Sequence, residues 1–577
     1  MNRVEYAPGS LFSNLSYAPQ ELKFGTSGRR GEVIHLTQLE VYLNALAELE
    51  FLQSIPSSEG GIKQGDEFYF GYDLRASSCL YVPEFQDRGE LAQAIERAIC
   101  DAGMKPVNLG QIPTPALACH ALMKGRGSIM VTGSHIPFNC NGYKTNTSVG
   151  ELLKKHEFPI NAKVCEVRSR LYAQPFSASP FDENGRFKSG HQVLMPADKA
   201  GEENYIRRYV DFFERETLKA MRLVVYQHSA VGRDLMVGML RRLGAEVIAT
   251  GRSDTFVPID TENMGAEQLG SIQQLHDTAS ARFGSIDAII STDGDSDRPM
   301  ILGVEDGKVH FFGGDRVGMV TADYLRADAV VVPISCNDGI DLGSLKAITA
   351  PKTKIGSPYV IAGMLKELDS GKQAVCGFEA NGGFLTGSDF FREGKRLGAL
   401  PTRDAMLPIL TVLVSAREKG LSLCGLFESL PKRYSQSALL KEFPRSIGQS
   451  IIDRFSTKDL RVTELHYDDG NAMLFDENLR SICSDDYSLR LAKATLLELA
   501  DFFRPAMGFG EISRINYLDG MRLYFDNGEV AHIRPSGNAD ELRIYAVANT
   551  QERADAIVNL AIQEPNGILR RLEKSAI

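Results

Sequence analysis

Apolar residues recur along the chain at two spacings, which predict helices and strands in turn. Residues 40–52 and 91–102 carry apolar side chains at helical spacing,. Residues 68–72 and 128–131 are short apolar runs typical of buried strands,. The pattern returns at 222–226 (strand), 234–243 (helix), 246–249 and 288–291 (strands), and again around 329–334 and 360–368. Repeated β-α-β order predicts an α/β fold with parallel sheets covered by helices.

Three breaks in the alternating helix and strand pattern divide the chain into predicted domains, and the last domain has a different pattern of strands. Residues 165–203 are polar and rich in turn residues, so we predict a loop-rich linker that ends the first domain,. Two more boundaries are predicted near 305–307 and 431–433. Strand patterns on both sides of Asp526-Asn527-Gly528 predict a hairpin, and therefore an α+β last domain with antiparallel strands,. The predicted domains are residues 1–203, 204–308, 309–432 and 433–577.

Composition excludes several classes of protein. The 577 residues, 43% apolar and 24% charged, are ordinary for a soluble globular protein of three to four domains,. The net charge of -10 argues against nucleic acid or an anionic membrane as a partner,. Nine scattered cysteines form no Cys-x-x-Cys pair, so zinc is not expected,. With no signal-peptide pattern and no apolar run of membrane-spanning length, we expect a cytoplasmic protein.

A first candidate site is the segment 131–144, which reads Val-Thr-Gly-Ser-His-Ile-Pro-Phe-Asn-Cys-Asn-Gly-Tyr-Lys. Its glycine, proline and asparagine residues favour a turn, so the hydroxyl of Ser134 is presented on a loop. A serine becomes a useful nucleophile only with a base and with a site for the charge that it creates. His135 and Lys144 lie close enough in sequence to contribute to both.

A second candidate is the acidic segment 291–298, which directly follows a predicted strand. Asp293, Asp295 and Asp297 alternate around a glycine, so their oxygens can converge on one hard cation. Mg²⁺ prefers such oxygen ligands and keeps coordination positions open for a phosphate. A cation held there would neutralise the charge of a transferring phosphoryl group.

Two further segments carry groups that bind sugars and anions. In 377–383, Glu379 and Asn381 can accept and donate hydrogen bonds to vicinal hydroxyls. The segment 534–543 combines hydroxyl and amide side chains, backbone N–H groups freed by a glycine, and two guanidinium groups, a set that forms an anion cradle. The cradle residues are Arg534, Ser536, Gly537, Asn538 and Arg543.

Together these segments resemble the α-D-phosphohexomutase family, whose members move a phosphoryl group between C1 and C6 of a sugar. They are similar to the family's Thr-x-Ser-His-x-Pro, Asp-Gly-Asp-x-Asp-Arg and Arg-Pro-Ser-Gly-Thr motifs, with Asn538 in the threonine place. Arg30 matches the characteristic arginine of the family's N-terminal signature. The family's common Gly-Glu-x-Ser-Gly-His motif is altered, because Asn381 replaces the serine and Gly383 the histidine. The sequence Glu-Ala-Asn-Gly in this segment looks closer to that of the phosphoacetylglucosamine mutases.

The resemblance implies three related mixed α/β domains and a C-terminal α+β lid domain around a central cleft. It implies that Ser134 carries the phosphoryl group and binds Mg²⁺ together with the three aspartates, while Lys144, Arg30 and His135 assist in catalysis. The partners would be small sugar phosphates, with hexose 1,6-bisphosphate as intermediate and activator. The oligomeric state and the roles of inserts at 165–203 and 442–509 stay open.

Phosphomannomutase is the first expectation within the family, with phosphoglucomutase or a phospho-amino-sugar mutase as alternatives. Two other classes remain. One is a phosphatase that uses Asp293 as its nucleophile, which would not need Ser134 and would release free phosphate. The other is a non-catalytic sensor of sugar phosphates on the same fold. The presence of Ser134, Lys144 and all three aspartates weighs against the sensor.

Overall fold

The described residues form four larger β-sheets and two short two-stranded ribbons. The computed structural model describes residues 6–262, 264–468, 471–483, 485–537 and 540–576. It divides into two compact units, one made of Met1–Val330 and Gly356–Phe427, the other of Val331–Ile355 and Glu428–Ile577. The predicted mixed α/β fold is confirmed.

The strands follow one another sheet by sheet along the chain. The first sheet and its side ribbon contain β1 (Arg29–Glu32), β2 (Glu67–Tyr72), β3 (Tyr81–Val82), β4 (Arg88–Gly89), β5 (Lys105–Gln111), β6 (Ser128–Val131), β7 (Cys140–Thr147) and β8 (Gly150–Glu151). The second sheet contains β9 (Arg222–His228), β10 (Glu246–Arg252), β11 (Ala288–Thr292), β12 (Pro299–Glu305) and β13 (Lys308–Phe311). The third sheet and its ribbon contain β14 (Ala329–Val331), β15 (Val375–Phe378), β16 (Phe384–Thr386), β17 (Phe390–Arg392), β18 (Lys395–Leu397) and β19 (Leu400–Asp404). The fourth sheet contains β20 (Tyr434–Lys441), β21 (Glu464–Asp468), β22 (Asn471–Phe475), β23 (Ile512–Asn516), β24 (Met521–Phe525), β25 (Val530–Pro535) and β26 (Glu541–Ala548).

Helices flank and connect these strands. They are α1 (Leu11–Asn14), α2 (Gln38–Ser54), α3 (Ala76–Cys79), α4 (Leu91–Asp101), α5 (Thr114–Met123), α6 (Lys154–Tyr172), α7 (Ala200–Phe213), α8 (Arg233–Arg242), α9 (Ala266–Phe283), α10 (Gly314–Leu325), α11 (Ser357–Asp369), α12 (Met406–Lys419), α13 (Leu423–Glu428), α14 (Arg445–Phe455), α15 (Asp486–Phe502), α16 (Gln551–Ile562) and α17 (Ile568–Ala576). Within the described part of the chain, no helix combines the length and apolar character needed to cross a bilayer. The apolar run at 407–416 is buried inside α12.

The first two sheets are mixed rather than wholly parallel. In the first sheet β2 pairs in parallel with β5 and β6, whereas β7 returns antiparallel to β6. In the second sheet β9 pairs in parallel with β10 and β11, and β12 returns antiparallel to β11. The β-α-β pattern therefore predicted the parallel part, while the return strands needed no helix and left no such signal. The hairpin of β24 and β25 is antiparallel, as predicted.

The predicted linker at 165–203 is too long at both ends, because its last four residues belong to α7. Residues 165–172 belong to α6, which buries one stripe of side chains and packs on α2. The stripe consists of His156, Ile160, Val164, Val167 and Leu171. Its spacing of three and four residues is helical, but it is diluted by polar residues on the exposed faces. Irregular chain follows only after Tyr172 and lasts until α7.

Each larger sheet lies largely within one of the four predicted domains. The sheets span residues 29–151, 222–311, 329–404 and 434–548. The predicted boundary between 308 and 309 falls inside β13, which pairs with β12 across the turn Asp306-Gly307. The four-domain division stays a prediction, because the division into two compact units does not test it.

Candidate active site

Three loops of the first unit occupy the same place in their sheets. The serine loop (residues 132–139) joins β6 to β7, the metal loop (293–298) joins β11 to β12, and the sugar loop (379–383) joins β15 to β16. Each loop follows a fully buried strand and leads into that strand's antiparallel neighbour. Polar groups that follow a buried strand are held at a sheet end without interrupting the core.

The serine loop holds Ser134 in a strained conformation. Ser134 is buried and has a φ of +53°, in the left-handed region that non-glycine residues rarely adopt,. Its N–H donates to the Thr132 hydroxyl at 2.7 Å, and that hydroxyl donates to Asp73 at 2.8 Å. Arg75 donates to the Ser134 carbonyl at 2.9 Å and to three other carbonyls of the turn. This network compensates the strain and fixes the position of the hydroxyl.

The serine and metal loops are in direct contact. Ser134 Oγ donates to Asp293 Oδ2 at 2.7 Å, and His135 Nδ1 lies 3.4 Å from the same hydroxyl. Gly294 makes the approach possible, because a Cβ there would lie 2.7 Å from the Ser134 carbonyl oxygen. The sequence segments at 131–144 and 291–298 therefore belong to one site.

The metal loop presents three buried carboxylates. The ligand atoms of Asp293, Asp295 and Asp297 lie within 4.8 Å of one another. Asp293 Oδ1 accepts the backbone N–H groups of Asp297 at 3.1 Å and of Arg298 at 3.2 Å, which closes the loop on itself. The Oδ1 atoms of Asp295 and Asp297 are buried and have no hydrogen-bond partner among the described residues. Buried carboxylate oxygens without a donor are costly unless a cation joins them, so this site fits a metal ion.

Cations surround the three aspartates. Lys144 Nζ lies 2.6 Å from Asp295 and 2.7 Å from Asp297. Burial alone would raise the pKa of Asp295, but attraction to Lys144 outweighs it and lowers that pKa below its ordinary range. Burial and then repulsion from its two acidic neighbours raise the pKa of Asp293 well above its ordinary value. Burial, together with repulsion from Arg298, lowers the pKa of Arg30 to about 10.

The sugar loop joins the same cluster through an arginine that sequence reasoning missed. Arg403, at the end of β19, lies 3.0 Å from Asp297 and 3.2 Å from Glu379. Both carboxylates and the guanidinium are almost fully buried. The Asn381 amide oxygen accepts the Gly383 N–H at 2.9 Å, so it stabilises the loop's own turn. The first unit thus brings Ser134, Lys144, the aspartates and Glu379 into one buried network.

Other supporting residues also lacked an assigned role in the sequence. The Thr114 hydroxyl donates to Asp295 at 2.6 Å, and Asp73 with Arg75 supports the serine loop. Each lies in a short polar segment beside an apolar element, as does Arg403 between the apolar positions of β19 and α12. Polar residues at the ends of buried helices and strands were therefore the sequence signal that could have identified these supporting residues.

The predicted anion cradle lies in the second unit. Arg534 and Arg543 are direct cross-strand partners on β25 and β26, so their side chains share one face of the sheet,. Arg534 pairs with Asp519 at 2.8 Å, and Arg543 with Glu541 at 3.1 Å. The Ser536 N–H closes the turn by donating to the Glu541 carbonyl at 2.9 Å. Gly537 is described beside it, whereas Asn538 lies outside the described residues.

Comparisons with known proteins match two segments of this chain and the chain as a whole. The phosphoglucomutase/phosphomannomutase α/β/α domain I matches residues 21–170, and domain III of the same description matches 313–434. A phosphomannomutase of Salmonella muenchen is 34% identical over 95% of this chain and 97% of its own length. A phosphoglucosamine mutase of Brucella anthropi is 27% identical over 63% of this chain and 73% of its own. The crystal structure of a Burkholderia thailandensis protein, described as phosphoglucomutase/phosphomannomutase family, aligns with a TM-score of 0.60, 16% identity and coverage of 97% and 98%.

Proposed function

Since this chain belongs to the phosphoglucomutase/phosphomannomutase family and is a mutase, we propose that it interconverts hexose 6-phosphate and hexose 1-phosphate through a phosphoserine at Ser134. Mannose phosphates are the proposed preferred substrates, because two relatives that match nearly the whole chain are phosphomannomutases. The observation that carries the proposal is the contact between Ser134 Oγ and Asp293, with Lys144 on the adjacent carboxylates.

In the proposed cycle Ser134 begins as a phosphoserine. Its Oγ–P bond breaks while a hydroxyl oxygen of the hexose monophosphate forms a new O–P bond and loses its proton. The product is hexose 1,6-bisphosphate, which turns over and returns its other phosphoryl group to Ser134 Oγ. The same bisphosphate would activate an enzyme whose serine is free. One phosphate ester replaces another, so positioning and electrostatics supply the catalysis.

The side chains around the serine divide this work. Asp293, Asp295 and Asp297, with an oxygen on Ser134, would hold Mg²⁺, which supplies positive charge opposite the transferring phosphoryl group when bound. Lys144 lies between two carboxylates and would add positive charge next to them. We propose that His135 Nδ1, 3.4 Å from Ser134 Oγ, takes part in moving the proton at that oxygen, and that Arg30 adds positive charge.

Arg543→Ala is expected to weaken binding of hexose 1-phosphate and hexose 6-phosphate alike. In the proposal Arg534 and Arg543 hold the phosphate that is not reacting, and each end of the intermediate takes that place in turn. Losing one charge-assisted contact costs about 1.5–3 kcal/mol, or roughly 10- to 150-fold in affinity. KM for both substrates should rise, and free bisphosphate should escape during turnover.

Arg461→Ala is the matched control, because Arg461 is exposed, lies in the same unit and pairs with Asp459 two positions away. It should leave both KM values unchanged. If Arg543→Ala impaired a single isomer and released no bisphosphate, the cradle would recognise the sugar and not the phosphate.

A side-by-side assay of mannose, glucose and N-acetylglucosamine phosphates tests the proposed function. Mutase turnover with bisphosphate dependence, highest for mannose phosphates, is the expected result. The Glu-Ala-Asn-Gly spelling of 379–382 favours an amino sugar as the second candidate. Release of free phosphate as the main product would instead support the phosphatase with Asp293 as nucleophile, and binding without turnover would support the sensor.

A further inference from the structure

The sugar loop contains a glycine whose backbone does not require one. Gly383 does not have a positive φ of the kind that favours glycine, so its φ does not require one. A Cβ built there would nevertheless lie 2.5 Å from Cδ and 2.7 Å from Cγ of Arg403. Side-chain atoms do not approach so closely, so the space beside position 383 is occupied by the stem of Arg403.

Arg403 enters the site from another strand. It lies on β19, which pairs with β16 at the end of the sugar loop. Its Nε lies 3.0 Å from Asp297 of the metal loop, and its Nη1 lies 3.2 Å from Glu379 of the sugar loop. One rigid, planar group thus ties together the two loops that we assign to the metal and to the sugar.

One end of this guanidinium is still available. Nη2 is buried and has no hydrogen-bond partner among the described residues. The whole residue is only 3% exposed, so water cannot readily satisfy this donor. A buried donor of a charged group that stays unsatisfied is costly, whereas a ligand acceptor at this place would remove the cost.

We propose that Arg403 is a substrate-binding residue of the sugar site: it fills the place beside Gly383, holds Glu379 through Nη1 and donates from Nη2 to a hydroxyl oxygen of the bound hexose phosphate. This inference rests on the proposed function, because it takes the hexose phosphate as the ligand. Its donor comes from β19, outside the segment 377–383 on which the sugar site was predicted. The sequence of the sugar loop alone therefore gives an incomplete account of sugar recognition.

Arg403→Lys is the main test. Lysine keeps the positive charge opposite Asp297 and Glu379. It lacks the planar guanidinium group, whose Nη2 remains as a donor for the ligand after Nε and Nη1 have bound the two carboxylates. Calorimetry on the dephosphorylated full chain with Mg²⁺ would measure affinities for mannose 6-phosphate, glucose 6-phosphate and inorganic phosphate. In Arg403→Lys we expect the affinity for both hexose phosphates to fall by roughly fivefold or more. The affinity for inorganic phosphate should change by less. Arg396→Lys, on the neighbouring ribbon and paired with Asp389 at the surface, is the control and should match the wild type.

Either of two results would overturn the inference. One is hexose phosphate affinity of Arg403→Lys within fivefold of the wild type. The other is an equal loss for inorganic phosphate, which would mean that Arg403 acts only as general positive charge. Turnover of hexose phosphates by the wild-type chain tests the proposed function in a separate assay. A failure of the Arg403 inference can therefore be told apart from a failure of the proposed function.

A double-mutant cycle tests the packing part of the inference. Gly383→Ala should displace Arg403 and weaken hexose phosphate binding roughly fivefold or more when Arg403 is present. In the Arg403→Ala background the same alanine meets no guanidinium stem, so the further loss should be smaller than fivefold. Equal losses of hexose phosphate affinity in both backgrounds would show that the effect of Gly383→Ala does not arise from a clash with Arg403.

Discussion

Ser134→Ala is expected to abolish mutase turnover, with kcat reduced by roughly 10⁴-fold or more, because the proposed cycle loses the atom that carries the phosphoryl group. The loss should not be rescued by added hexose 1,6-bisphosphate. A coupled assay of hexose 1-phosphate conversion to hexose 6-phosphate measures it directly. Binding of hexose phosphates should persist, since the sugar loop and Arg403 do not depend on the hydroxyl.

The backbone at Ser134 calls for a second variant. Ser134→Ala keeps the strained φ of +53° but loses the hydroxyl's bond to Asp293, so its inactivity alone does not separate a displaced loop from a missing phosphoryl carrier,. Ser134→Gly removes the hydroxyl while it accepts the left-handed conformation without cost. Both variants should be inactive. Full mutase activity in Ser134→Gly would contradict the phosphoserine and favour Asp293 as the nucleophile.

Asp295→Asn should give the second largest effect. The substitution removes one of the three carboxylates offered to the metal and also one of the two that hold Lys144. Metal-ion catalysis contributes several kcal/mol, so a rate loss of roughly 10²- to 10⁴-fold is expected. Mg²⁺ titration of the rate should show a weaker dependence on the metal as well. The wild-type enzyme should lose activity in excess chelator and regain it with Mg²⁺.

Asp306→Asn provides the matched control for this substitution. Asp306 lies exposed in the turn between β12 and β13, in the same sheet, with a positive φ that asparagine tolerates,. The turnover rate and the Mg²⁺ dependence of the Asp306→Asn variant should equal those of the wild type. A fully active Asp295→Asn, or wild-type activity that survives excess chelator, would remove the metal from the account.

Local patterns in the sequence carried much of the fold. The apolar run 128–131 is strand β6 at those same residues, and the helices at 40–52 and 91–102 appear as α2 and α4. Alternating elements of this kind are specified by nearby residues, so periodicity detects them. α6 was missed because its buried stripe is narrow. The return strands β7 and β12 were missed because no helix precedes them and polar loop residues separate them from β6 and β11.

The site was predictable where its residues are close in sequence and not where they are distant. The aspartates of the metal loop lie within five positions, so their convergence could be foreseen. Arg403 reaches Asp297 across more than a hundred positions, and Thr114 reaches Asp295 across still more. Such contacts depend on how β19 and α5 are placed by the fold, which no local spacing encodes.

Intact-mass measurement of the protein before and after hexose 1,6-bisphosphate tests the central claim most directly. The account predicts one added phosphoryl group on the wild-type chain, mapped by peptide analysis to Ser134. It also predicts that hexose monophosphate removes this group and leaves as bisphosphate, and that Ser134→Gly gains none. A phosphoryl group found on Asp293, or mutase turnover by a chain that never gains one at Ser134, would contradict it.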